Sequence, residues 1–165
     1  MFFLDFKGVM IMNLPEIFNS INDIQKSKGT TELLRLNEHL KERNLFLKEE
    51  DVRDIIEMRN ITLKAQGRLE LNMNILKNIV TELAYSPYIN QYNLIESIND
   101  VYEIFHYIKN HTSDFLGDEE IFKVIMFLFN KVYNGSTELM KGKGIERILN
   151  NFRSGRELIS TEDED

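Results

Sequence analysis

Large apolar side chains recur along this chain at spacings of three and four, and they crowd most densely in Ile121 to Tyr133, IFKVIMFLFNKVY. Wound at about 100° per residue, Ile121, Val124, Ile125, Leu128, Phe129 and Val132 share one face. Phe122, Met126 and Tyr133 widen that face, and Phe127 lies near its opposite edge. Only Lys123, Asn130 and Lys131 leave a polar strip, so a helix here must be covered on several sides. The segment is too short for a membrane span, which needs roughly 20 apolar residues. It is expected to be the central helix of a bundle.

The same periodicity predicts the neighbours. A first helix from Leu14 to about Lys28 carries Ile17, Phe18, Ile21 and Ile24, with Asn13 as its cap and Pro15 in its first turn. Gly29 is expected to end it, and a second helix from Thr30 or Thr31 to about Arg43 carries Leu33, Leu34, Leu36 and Leu40. A third runs from Glu49 to about Gln66, with Glu49, Glu50 and Asp51 at the positive end of its dipole. After Gly67 a fourth is expected from Leu69 to Ala84, stopped by Ser86-Pro87. A fifth runs to about His111 behind Asn93 and Glu96, which have capping-box spacing. Asp118, Glu119 and Glu120 open the central helix, Gly135 closes it, and Ser136 starts a short turn through Met140. Gly142 and Gly144 bracket an expected break before a last helix from Ile145 to Phe152. No strand-like alternation competes, and loops this short join antiparallel neighbours. The fold class is all-α, a single-domain bundle of about six to seven helices.

Composition narrows the picture. The 165 residues include two prolines, eight glycines and no cysteine, which suits one helical domain and excludes disulfides, thiolate chemistry and cysteine-held zinc. The net charge of −7 argues against a dedicated nucleic-acid binder. The opening MFFLDFKGVMIM has Asp5 and Lys7 inside its apolar run and no basic leader or small-residue cleavage site, so a cytoplasmic protein is expected. Lys7-Gly8-Val9, directly before Met10 and Met12, can be encoded by a purine-rich stretch resembling a ribosome-binding site. Residues 1–12 are therefore expected to be a non-core extension with translation starting at Met10 or Met12, which the intact mass of the natively expressed protein decides. The helical domain is expected over 13–156 and a disordered acidic tail over 157–165.

Candidate chemistry is sparse. Arg59 falls in the middle of the apolar face set by Val52, Ile55, Ile56 and Leu63, where a charge costs several kcal/mol unless paired. Glu70, Glu82, Glu103 and Glu138 are the candidate partners. Two readings stand: an ion pair that fixes helix packing, or an anion-binding arginine with Asn60, Asn72 and Arg68 around it. Glu103 and His106 have the Glu-x-x-His spacing of di-metal bundles, but the motif occurs once where such sites need it twice, and His106 is expected only at the boundary of the apolar face. His39 and His111 add no ligand spacing, so no metal and no cofactor is expected. Lys141, Lys143, Arg147, Arg153 and Arg156 form a locally basic stretch able to meet an acidic partner or nucleic acid, with Glu157 and the acidic tail available to neutralise it. Tyr85, Tyr88 and Tyr92 cluster about a proline turn and are candidate interface residues, since tyrosine buries area while keeping a polar handle.

Four short strings, Glu57-Met-Arg59-Asn60, Gly67-Arg68-Leu69-Glu70, Ser86-Pro87-Tyr88-Ile89 and Gly135-Ser136-Thr137-Glu138-Leu139, in this order and spacing, resemble a family of small bacterial proteins known as domain-of-unknown-function family 6323. The resemblance covers roughly residues 30–153. It implies no activity and no catalytic residue, and it directs attention to Arg59, Arg68, Glu70 and Glu138 as one cluster. The reading that follows is a helical module that binds another protein or itself. The alternative is a small-ligand or enzymatic pocket built on Arg59, Asn60 and a neighbouring carboxylate.

Overall fold

The computed structural model describes residues 3–4, 10–11 and 13–159. Strands β1, Phe3–Leu4, and β2, Met10–Ile11, pair antiparallel with Phe3 opposite Ile11. Every regular element after them among the described residues is helical, the α-helices being α1 Leu14–Arg35, α2 Asn37–Leu40, α3 Glu49–Ala65, α4 Asn74–Ala84, α5 Leu94–His111, α6 Asp118–Phe127, α7 Thr137–Leu139 and α8 Ile145–Arg153. The all-α bundle expected from the periodicity is what the chain forms.

Its hub differs from the expected one. The 121–133 segment is in the core, with Ile125, Leu128 and Phe129 fully buried, but it packs chiefly on α5. It is α5 that touches α3, α4, α6, α7 and α8. The reason lies in face width: Leu94, Ile98, Val101, Tyr102, Ile104, Phe105 and Ile108 are all buried, so α5 has covered surface around most of its circumference. Each such aliphatic side chain contributes roughly 1.5–3 kcal/mol by leaving water.

Four boundaries depart from the sequence pattern, each for a local reason. Gly29 does not end the first helix, which continues through it to Arg35. Thr30 and Thr31 donate their hydroxyls back to the carbonyls of Lys26 and Ser27 instead of capping a new helix. The glycine serves close approach: a Cβ there would lie 2.6 Å from Cε of Met73. The fourth helix begins at Asn74, five residues later than expected, because Gly67 at φ 64° turns the chain in a Schellman closure, Gly67 N–H to Lys64 O and Arg68 N–H to Leu63 O. Asn93 does not form a capping box. Its Oδ1 accepts the Asn90 N–H and its Nδ2 donates to Tyr88 O, so it organises the linker before α5. Finally, Gly142 and Gly144 bracket no break, since Met140–Gly144 is a π-helical turn that runs on into α8.

A second π-helical turn, Leu128–Val132, extends α6. Its Asn130 Oδ1 accepts the Ser86 hydroxyl at 2.6 Å, and just beyond it Tyr88 donates to Asn134 Oδ1 at 2.9 Å. Gly135, at φ 82°, lies directly against Tyr88. At the C-terminal end Leu158 is buried and Ile159 packs on the core, so ordered chain reaches past the expected boundary at 156. The proposed start sites and residues 160–165 lie largely or wholly outside the described residues.

Two of the positive-φ glycines, Gly67 and Gly135, predict a contrast. Gly67 has open space around its missing Cβ, so Gly67→Ala should cost only the left-handed strain of about 1–2 kcal/mol. In Gly135→Ala the new methyl must also displace Tyr88, and the loss should exceed that of Gly67→Ala by at least ~1 kcal/mol in urea unfolding.

Candidate functional site

Arg59 is 9% exposed on α3. The helix offers its guanidinium no partner of its own beyond the neighbouring Asn60, whose Oδ1 accepts from NH1 at 3.2 Å. The partners come from the segment between α3 and α4. NH2 donates to the backbone carbonyls of Glu70 and Asn72, both at 3.0 Å, and lies 3.4 Å from Glu70 Oε2. Those two carbonyls are thereby withdrawn from helix hydrogen bonding, which explains physically why α4 starts late. Asn72 Oδ1 accepts the Asn74 N–H and helps open α4 there.

From the other side, α5 closes on the same carboxylate. The Tyr102 hydroxyl donates to Glu70 Oε2 at 2.7 Å. His106, one turn on and 1% exposed, brings Nε2 to 3.0 Å from Glu70 Oε1. The approach lies off the ring N–H direction, so neither His106 nitrogen has an aligned hydrogen bond, and the Nε of Arg59 is likewise without an acceptor. The imidazole sits edge-on to Tyr102 and Phe105, with ring centroids 4.6 and 5.1 Å away.

Burial alone would push the Glu70 carboxyl up. The contacts with His106 and Tyr102 and the positive charge of Arg59 outweigh it and hold the group below its ordinary value of 4.5. Because the folded value is depressed, this ionic contribution to stability is complete above pH 4.5 and is lost as pH falls through the folded value. Burial and the adjacent Glu70 both push the Tyr102 phenol up, so it remains a donor.

Of the residues singled out from sequence, Arg59, Asn60, Asn72 and Glu70 meet here. Arg68 stands beside them but turns the other way, with Nε on Asn110 Oδ1 and NH2 on Asp114, so it ties the loop to the turn after α5. Glu138 is exposed on α7 and is not among the groups bonded to Arg59. His106 was expected at a half-buried boundary and is instead interior. Tyr102 was not singled out, although with His106 it places two polar groups one turn apart on the apolar stripe of α5. Glu103 faces away and takes Lys141 at 2.8 Å, while Lys141 also donates to Asp100 at 2.6 Å. Burial alone would push the Lys141 ammonium down, but the hydrogen bonds and charges of those two carboxylates together outweigh it and hold the group above its ordinary value. The basic stretch is thus partly spent inside the chain, as Arg147 is also engaged. Among the tyrosines, Tyr85 lies under the Arg43 guanidinium at 4.4 Å, Tyr88 is committed to Asn134 and Gly135, and Tyr92 is 99% exposed.

A cleft of about 530 Å³ borders the cluster, between α1 and the 68–73 segment, lined among others by Lys28, Arg59, Asn60, Glu70 and Asn72. No group of three or more metal-ligating side chains occurs among the described residues. None of the described helices is long and apolar enough to cross a membrane.

Removing one partner of a buried pair leaves the other uncompensated, so Arg59→Met should destabilise the fold by about 3–5 kcal/mol. Arg59→Met combined with Glu70→Leu should recover part of that loss, because no charge is then stranded. Chemical unfolding of the two variants measures both.

The four strings that carry the family resemblance pair off in space: Arg59 with Glu70, and Tyr88 with Gly135. No curated protein and no solved structure matches the chain. Residues 32–158 match the family described as a family of unknown function, DUF6323. As the match spans more than half of its length, the chain belongs to that family.

Proposed function

We propose that this protein is a cytoplasmic helical interaction module that associates with a second copy of itself through the N-terminal half of α1. The observation that carries the reading is a stripe of exposed aliphatic side chains. Leu14, Ile17, Ile21 and Ile24 are all exposed, and they fall at alternating spacings of three and four, the a and d positions of two heptads. Among the described residues of α1 the buried ones are Gly29 and Leu33, both in its C-terminal half. An amphipathic helix that leaves its own core offers its apolar edge to another helix.

Charge favours an identical partner. Between Leu14 and Lys28 the charged residues are Glu16, Asp23, Lys26 and Lys28, which sum to zero while the whole chain is at −7. Two copies can therefore approach along this helix without the repulsion their other surfaces would impose. The g positions hold Ser20 and Ser27, so no charged flank selects a foreign sequence. The stripe precedes the residues matched by the family, so on this reading it belongs to this chain, whereas the bundle behind it is the family's common part. A ligand site on Arg59 has less to rest on, because the guanidinium is directed at protein acceptors and only its Nε is unspent.

Sedimentation equilibrium should give a monomer–dimer system with a dissociation constant on the order of 10–100 µM, as suits an interface below about 1,200 Å². Ile17→Asp with Ile21→Asp should leave a monomer with an unchanged far-ultraviolet spectrum. A wild-type protein that stays monomeric at several times that concentration would overturn the reading.

A further inference from the structure

The segment that Arg59 holds reverses the usual rule of burial. Its glutamate faces inward onto Arg59, Tyr102 and His106, while the leucines on either side face water, Leu69 at 84% exposure and Leu71 at 77%. A lone exposed leucine needs no explanation. Here, however, a carboxylate has been desolvated, at a cost that three buried side chains must offset, in the very stretch that leaves two leucines outside. Phe115, 83% exposed, stands on the next turn, and Arg68 links the two through Asn110 and Asp114. Leu69, Leu71 and Phe115 are thus exposed large apolar side chains on two segments that Arg68 ties together.

The loop adjoins the α1 stripe. Lys28 lies one helical turn beyond Ile24, the last aliphatic residue of the stripe, and lines the same cleft as Leu69 and Leu71. Lys28 and Ile24 also share the lining of the neighbouring concavity along α1. The stripe and the leucine loop are thus bordering parts of one surface.

We infer that the loop carrying Leu69 and Leu71 is the second half of the self-association surface and receives the N-terminal turn of α1 from a second copy of the chain. The inference rests on the α1 reading above and adds its partner site. Area argues for it. Four aliphatic side chains from each of two helices remove on the order of 500–1,000 Å² from water, short of the roughly 1,200–2,000 Å² of a stable interface. Two symmetry-related loops with their leucines bring the total to about 1,200 Å², the lower edge of that range, in keeping with the weak association expected above. Geometry argues for it as well. In an antiparallel pair with Leu14 of one copy level with Lys28 of the other, Ile21 meets its symmetry mate and the first turn of α1 comes to lie beside the cleft. Charge agrees: Lys26, Lys28 and Lys64 rim that cleft, and the arriving turn carries Glu16. In this arrangement the Arg59–Glu70 cluster is the positioning device that keeps the leucines outward.

The chain has no cysteine, so introduced thiols report contacts without background. Sedimentation equilibrium of Leu69→Ser/Leu71→Ser should show dimerisation weakened at least tenfold with an unchanged thermal midpoint, since both positions are exposed in the monomer. When Leu14→Cys and Leu71→Cys proteins are mixed and oxidised, the mixed disulfide should dominate over either homodimer. If dimerisation survives the serine pair unchanged and depends only on Ile17 and Ile21, the loop inference is overturned and the α1 reading stands. A Leu14–Leu14 disulfide as the main product overturns the antiparallel placement and with it the loop's role. A monomeric wild type, or capture of a foreign protein in place of a second copy, overturns both.

Discussion

One buried guanidinium organises more of this molecule than any helix does. Arg59 projects from an otherwise apolar face, and its burial is tolerable only because the chain eleven to thirteen residues later folds back to give it a carboxylate and two carbonyls. Those bonds decide that residues 68–73 are a loop and not the first turns of α4. They also decide which side chains of that loop face inward. Tyr102 and His106 complete the enclosure from α5, so α3, the loop and the hub helix are joined through a single carboxylate.

The rest of the bundle is held by ordinary apolar packing with a few polar fasteners of the same design. Asp100 takes both the Thr137 hydroxyl and the Lys141 ammonium at 2.6 Å, which fixes the wide turn before α8 against α5. Gln91 reaches back to both backbone groups of Phe46, fastening the α2–α3 connector to the linker before α5. Tyr88 fits against Gly135, where a left-handed backbone and a close approach coincide. Each fastener joins segments distant in sequence, and each sits where a helix ends. That division of labour is expected of a bundle: hydrophobic area supplies the stability, and directional bonds select one arrangement of its loops.

Much of this was legible beforehand, for identifiable reasons. Periodicity at three and four located the helices, and Arg59 was conspicuous because a charge interrupts a stripe of Val52, Ile55, Ile56 and Leu63. What failed were inferences from punctuation. Gly29 reads as a helix stop until the packing of Met73 is known, because the same residue serves helix ends and close contacts. Leu69, Met73 and Leu76 fit a helical stripe, yet two carbonyls captured by a distant arginine override the local preference. His106 was placed at a boundary because the helical wheel cannot foresee that Glu70 arrives to make the interior polar. The choice of α5 over 121–133 as hub was hidden for a similar cause, since density of apolar residues measures how much surface needs cover and not how many neighbours supply it.

The same arginine connects fold to proposed function. By turning Glu70 inward it turns Leu69 and Leu71 outward, beside a helix whose aliphatic stripe has left the core. An energetic expense inside the bundle thus becomes a shaped apolar surface outside it, and the charge state of Glu70 is the claim on which this link depends. Carbon-detected magnetic resonance titration of the Glu70 side-chain carboxyl tests it most directly. The account predicts a midpoint below 4.5, with the Tyr102 ring and His106 resonances shifting over the same pH range. A midpoint at or above 4.5 would mean that the carboxylate is not held by Arg59 and its neighbours, and would contradict it.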